Sequence, residues 1–312
     1  MYYYKGNNTA SSTNNTAIGY NALFGGALVA NNTGINNTAI GSNALKENTA
    51  GNFNVAVGTD ALARQSFANG GNAFDAFNVA VGAYALWHNQ PNSTTTGIKN
   101  TAVGGRALEN NWGQDNVAVG YNAGVMNTNG YQNTLIGTNT NSNDGLYNTI
   151  ALGYNATVNS STKAVIGNAS VTTVGGYGTW SNYSDQRLKE NIVYTDRLGL
   201  DFIMKLKTAS YNYTSDSNKR RRDGLIAQDV QAVLEDLNLP FSGLIIDDDP
   251  KKTLNLAYAD FVLPLINAIQ TQQAQITQLK AENAMHKEEL SILKNTVSAI
   301  SDLMKTGIVT GK

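Results

Sequence analysis

Ser184 stands five residues before Lys189 in the run Ser184-Asp185-Gln186-Arg187-Leu188-Lys189-Glu190-Asn191-Ile192. A serine hydroxyl is a weak nucleophile until a base takes its proton. Lysine can be that base where burial lowers its pKa toward the working pH. The two histidines of the chain, His88 and His286, lie far apart in sequence, so serine and lysine are the nucleophile and base that this stretch offers. Attack by Ser184 on the preceding carbonyl, that of Tyr183, passes through a five-membered ring. The expected scission is therefore at the Tyr183–Ser184 bond, with the next bond as the alternative, within one chain or across an interface between chains. Taken alone, such a pair is usually a capping serine and a solvated lysine, so its surroundings must decide.

Those surroundings are of ordinary globular composition. Gly224 to Val230 is expected to leave a strand and enter a helix running through Gln231 to Glu235. Asp229 either holds Lys189 or Arg187, or sits as a first-turn acid at the positive end of the helix dipole; Gln228 and Asp185 are further supporting candidates. The basic run Lys219–Arg222 and the acidic run Asp247–Asp249 read as solvated loops. After Pro264 the pattern is helical: Ile266, Ile269, Gln273 and Ile276, a three-residue step to Leu279, then Asn283, His286, Leu290, Leu293, Val297, Ile300 and Met304 at alternating spacings of four and three. This is a heptad seam with one stammer. Asn283 and His286 would be polar layers that fix its register.

Residues 1–180 differ from all this. They hold 12 of the chain's 45 charged residues (22 Lys+Arg, 23 Asp+Glu) and 25 of its 30 glycines. A unit N-[TV]-A-[IV]-G-x-x-A-L recurs, with glycines at 19, 41, 58, 82, 104 and 120 and looser copies at 137, 153 and 167. Each unit suits one short strand of about five residues plus a turn, unable to bury enough surface alone, so successive units must stack. The β-branched residues are expected to pack inward, with Ala and Gly admitting a neighbouring backbone. Excess lengths such as Phe24 to Thr33 and Arg64 to Phe77 become loops. The sequon-like Asn-Asn-Thr runs at residues 7–9, 14–16, 31–33 and 36–38 read as turns and Asn/Thr ladders.

The repeat core resembles the head repeats of trimeric autotransporter adhesins, and also repeats of phage and large-virus fibres. That resemblance implies a trimeric parallel β-roll or solenoid, or an interlocked β-prism; an isolated monomeric β-helix is the alternative. The Ser184–Ile192 run, Tyr211-Asn212-Tyr213, Gly224-Leu225-Ile226-Ala227-Gln228-Asp229-Val230 and Leu256 to Gln270 together resemble the peptidase S74 family, the intramolecular chaperone of phage endosialidases and tail fibres. The expected fold class is thus a mainly β repeat (1–180), a small α+β chaperone and autoprotease core (181–262) and a trimeric coiled-coil tail (263–312). The resemblance implies a single-turnover, self-cleaving serine endopeptidase with no external substrate. Its catalytic residues would be Ser184 and Lys189, and it would drive homotrimer assembly of a virion tail fibre put together in the host cytoplasm. The implied partners are a homotrimer, other fibre and tail proteins, and a host-surface receptor, expected to be a glycan. A glycan-degrading tailspike and a cell-surface trimeric adhesin are the alternatives.

Composition narrows the rest. The chain has no cysteine and a formal net charge of −1, which excludes disulfide scaffolds, thiolate sites and thiol nucleophiles. No basic face is available for nucleic acid, and no apolar run spans a membrane. Neither a cofactor nor a metal is expected. Met1 to Lys5 lack the apolar core of a secretory signal, and a repeat-like stretch directly after Met1 suggests a piece of a longer fibre.

Overall fold

The computed structural model describes residues 13–25, 33–67 and 69–309. The Met1–Lys5 start and the Asn-rich run at 7–9 lie outside them, as do residues 26–32 of the first long loop and thus part of the 31–33 run. The chain packs as two units. One holds residues 1–179 with 213–219 and 247–253; the other holds 180–212, 220–246 and 254–312.

In the first unit the strands are β1 Thr16–Ile18, β2 Thr38–Ile40, β3 Gly51–Asn52, β4 Val55–Val57, β5 Phe74–Asp75, β6 Val79–Val81, β7 Thr101–Val103, β8 Val117–Val119, β9 Thr134–Ile136, β10 Asn141–Ser142, β11 Ile150–Leu152, β12 Thr157–Val158 and β13 Ala164–Ile166. One three-residue strand per repeat, rather than the five expected, joins a nine-stranded sheet of order β1-β2-β4-β6-β7-β8-β9-β11-β13. Every pairing is parallel and in register, repeat on repeat, as in Ala80 opposite Ala102 and Ala102 opposite Ala118. The loops add the short parallel pairs β3–β5 and β10–β12.

The repeated asparagine is explained by hydrogen bonding. Asn37, Asn54, Asn78, Asn100, Asn116 and Asn133 are all buried. Each side-chain oxygen accepts the backbone N–H of the matching residue one coil on: Asn78 from Asn100 at 2.9 Å, Asn100 from Asn116 at 3.0 Å, Asn116 from Asn133 at 3.0 Å. The amide nitrogens of Asn100 and Asn116 donate to the carbonyls of Gly113 (2.9 Å) and Gly130 (2.8 Å). A carboxamide is both donor and acceptor at this position, so it satisfies two buried backbone groups at once. Asn100→Ala orphans the Asn116 N–H, and should cost about 1–3 kcal/mol, read as a lowered urea midpoint at unchanged slope.

The direction of the strand side chains is opposite to the one expected. The central Ala39, Ala56, Ala80, Ala102, Ala118 and Ala151 point inward and are fully buried, together with Leu23, Leu45, Leu62, Leu86 and Leu108 from the turns. The β-branched residues face outward: Ile18 is 54% exposed and Ile166 47%. In the first five repeats the leucine of the following turn fills the coil interior beside the small alanine; the turn after β9 has no leucine there, and Leu135 of the strand is itself buried inward. All five of these turn leucines share φ 49, a left-handed conformation unusual for a bulky residue. The in-register stack holds them there.

The acidic run is likewise not a solvated loop. Asp247 and Asp249 are buried. Lys163 Nζ lies 2.6 Å from Asp247, and Asn159 donates to both carboxylates at 3.2 Å. Thr253 donates to Asp249 through its N–H and its hydroxyl, which holds that carboxyl below the ordinary range.

The second unit contains α1 Leu200–Lys205, β14 Thr208–Tyr211, β15 Arg222–Leu225, α2 Ala227–Leu237, β16 Leu244–Ile246, β17 Leu254–Leu256 and α3 Val262–Val309. β14–β15 and β16–β17 are antiparallel pairs. Val230 and Leu234, one turn apart on α2, pack with Phe202 and Phe261 into a small core edged by Phe241. The first turns of α3 belong to this packing, since Ala268 is buried and Asn267 donates to the Leu198 carbonyl at 3.2 Å. Beyond them the 48-residue helix, about 72 Å long at 1.5 Å per residue, leaves Leu279, Leu290, Leu293, Val297, Ile300 and Met304 exposed. Among the described residues, no helix is long and apolar enough to cross a membrane.

Candidate autocatalytic site

Every residue from Ala169 to Arg197 is exposed. Within this stretch, Asp185 caps a short 3-10 turn, Gln186–Leu188, by accepting the Arg187 N–H at 2.9 Å. The same carboxylate pairs with the Arg187 guanidinium at 2.6 Å. That contact holds the Asp185 carboxyl below its usual range and raises Arg187 above its own. The turn ends at Lys189, which returns to an extended backbone; Asn191 then takes φ 52, a left-handed conformation that asparagine tolerates better than most residues.

The consequence is a reversal over five residues. Lys189 Nζ donates to Ser184 Oγ at 2.8 Å, within reach for a nucleophile and its base. Tyr183, which carries the carbonyl before the serine, is 96% exposed. Lys189 is exposed in the single chain, so burial of the kind that leaves a lysine amine unprotonated and able to accept a proton is not supplied by its own unit.

The supporting candidates separate. Asp185 adjoins the pair but is committed to Arg187 and the turn. Asp229 joins neither Lys189 nor Arg187 by hydrogen bond or ion pair among the described residues; it lies in the first turn of α2 and lines a shallow hollow with Lys205, Lys207 and Asp236. Gln228 is exposed beside it.

Other residues of the sequence blocks have structural duties. Gly224 admits the Tyr258 hydroxyl, which would come within 2.4 Å of an added Cβ and accepts the Leu225 N–H at 2.8 Å. Ser242 donates to Asp260 at 2.9 Å. The Asp185–Arg187 cap was missed as a device, although an Asp two residues before an Arg is the spacing of an Asx turn.

No curated protein matches the chain. Residues 184–239, which begin at the candidate nucleophile and run to the end of α2, match the peptidase S74 family, described as the chaperone of endosialidase. The stretch bearing Ser184, Lys189, Gln228 and Asp229 is thus supported as an S74-type chaperone domain.

Proposed function

We propose that the chain is a segment of a virion tail fibre whose chaperone domain assembles three copies and then cuts itself off. The observation that carries the cutting is the 2.8 Å approach of Lys189 Nζ to Ser184 Oγ at the start of the matched stretch. Lys189 takes the hydroxyl proton as Ser184 Oγ adds to the Tyr183 carbonyl carbon. The C–N bond breaks, the Ser184 nitrogen leaves as a protonated amine, and an ester joins Tyr183 to the serine oxygen. Water hydrolyses that ester, leaving a carboxylate on Tyr183 and a free Ser184 amine at the head of residues 184–312.

Assembly is supported by two uncovered apolar surfaces. Parallel sheets are stable where both faces are covered, yet the outer face of the nine-stranded sheet exposes Ile18, Ile40, Val119, Ile136 and Ile166 in one row, with Ile150 exposed in the row beside it. The α3 stripe is the second, and its heptad spacing matches a partner helix. Both patches repeat along the chain, so another copy of the same chain complements them in register. Three copies, rather than two, rest on the family resemblance. The bulky exposed residues of the cleavage segment, Trp180, Tyr183 and Leu188, would be covered in the same assembly, and Lys189 with them. Few and scattered carboxylates in residues 1–180 favour a binding fibre over a glycan-degrading tailspike.

Mass spectrometry of the purified chain tests the cutting. The wild type should yield a fragment beginning at Ser184, whereas Ser184→Ala should remain at full length. A fragment of the same mass from the alanine variant would refute the assignment.

A further inference from the structure

The parallel stack does more than build a shaft. It places the residue two positions after each buried turn leucine in one column: Glu47, Arg64, His88 and Asn110 follow Leu45, Leu62, Leu86 and Leu108. Consecutive members are one coil apart, held by the Arg64 N–H to Trp87 carbonyl bond (3.1 Å) and the His88 N–H to Glu109 carbonyl bond (2.8 Å). At this level the loops after the leucines lengthen and bring in Ser66, Gln90, Pro91, Asn92, Trp112 and Thr128. Two hollows of about 260 and 340 Å³ result, sharing a wall of Gln90 and Trp112.

The lining has a definite chemistry. Trp112 is 46% exposed on a backbone fixed by bonds to Thr128 and Gly97, so an aromatic side chain lines the cleft and is open to solvent. Around it stand amides (Gln90, Asn92, Asn110) and hydroxyls (Ser66, Thr128), with Pro91 beside them. The two ionisable groups of the lining, Arg64 and His88, are both basic. Arg64 sits 5.1 Å over the Trp87 ring and makes no ion pair among the described residues. Trp87 stacks on His88 at 3.8 Å, whose Nδ1 lies 2.8 Å from Asn110 Oδ1 and whose Nε2 is buried without a partner. The column's carboxylate, Glu47, is one coil beyond Arg64 and outside the lining.

An exposed aromatic face ringed by amides and hydroxyls suits a polyhydroxylated ring, which presents C–H groups on one face and hydrogen-bonding groups around its edge. An unpaired guanidinium held in place by stacking suits a carboxylate. We propose that this cleft binds a saccharide carrying a carboxylate, with Trp112 as the stacking platform and Arg64 as the carboxylate contact. The site is remote in sequence from Ser184 and stands whether or not the chain cuts itself.

The test is calorimetric titration of the full chain with 3′-sialyllactose and tri-galacturonate, beside the neutral lactose and maltotriose. At least one carboxylated sugar should bind more tightly than its neutral counterpart. Trp112→Ala should weaken that binding by about tenfold or more, as loss of a central aromatic contact does. Arg64→Gln, an exposed change that spares the packing, should abolish the preference for the charged sugar while circular dichroism stays unchanged. The proposal is overturned if neither carboxylated sugar binds at millimolar concentration, if neutral sugars bind equally well, or if both variants behave as the wild type.

Discussion

Leu290→Asp combined with Leu293→Asp should leave the chain both unassembled and uncut. Both leucines lie on the exposed stripe of α3, at 55% and 58% exposure, so the single chain loses almost no packing when they change. In an assembly each would be buried, and each burial contributes about 1.5–3 kcal/mol. In the proposed three-stranded seam the substitution would also place six carboxylates in one short stretch, where burial disfavours their charged form. Light scattering should report monomer at micromolar concentration. The effect on cutting follows from the exposure of Lys189: a general base of this kind contributes roughly 10²–10⁴-fold, and only when desolvated. Fragment formation should fall by that order although Ser184 and Lys189 are untouched. Monomeric protein that still cuts at the wild-type rate would show that the dyad works within one chain, and would remove the link between assembly and scission.

The sequence was most legible where one residue type meets one backbone need. The Asn-Asn-Thr runs suggest turns and Asn/Thr ladders, but the ladder reaches further than those runs: a carboxamide can satisfy a buried donor and a buried acceptor together, and Asn78, Asn100 and Asn116 do so. The strand leaving Gly224 for a helix through Gln231 is also as the pattern indicated. Facing was misread in the repeats. Alternation says that Thr16 and Ile18 share a side, but which side is inner depends on Leu23 and its equivalents occupying the interior from outside the strand. In the proposed assembly the outward row of Ile and Val would be covered by another copy of the chain. Asp247 and Asp249 were misread for a related reason: their partners, Asn159 and Lys163, are more than 80 residues away in sequence, and no local pattern announces such a pairing. At the site, five-residue spacing suggested Ser184 and Lys189, whereas the reversal that brings them together depends on the Asp185 cap.

Gly104→Ala should destabilise the repeat unit by about 4 kcal/mol or more, an exceptional loss for one methyl group. Two costs combine. The backbone there has φ +129, a region that residues with a Cβ rarely enter and that costs of order 1–3 kcal/mol to hold. The new Cβ would also lie 2.5 Å from the Gly120 carbonyl oxygen and 2.6 Å from its carbon. Those are backbone atoms of the next coil, so no side chain can rotate away. Nor can the coils part, because Gly104 N–H is bound to the Val81 carbonyl at 2.7 Å and Gly120 N–H to the Val103 carbonyl at 2.8 Å. Relief requires the stack to open on one side of the substitution. Gly145→Ala separates the two costs: its φ is +76 but nothing lies within 4 Å of the added carbon, so only conformational strain remains, about 1–2 kcal/mol. Urea titration of both variants in the Ser184→Ala background, which keeps the chain in one piece, should therefore show a large shift for Gly104 and a small one for Gly145. Equal shifts would mean that backbone conformation, rather than the approach of successive coils, is what the glycine at this step of each repeat provides.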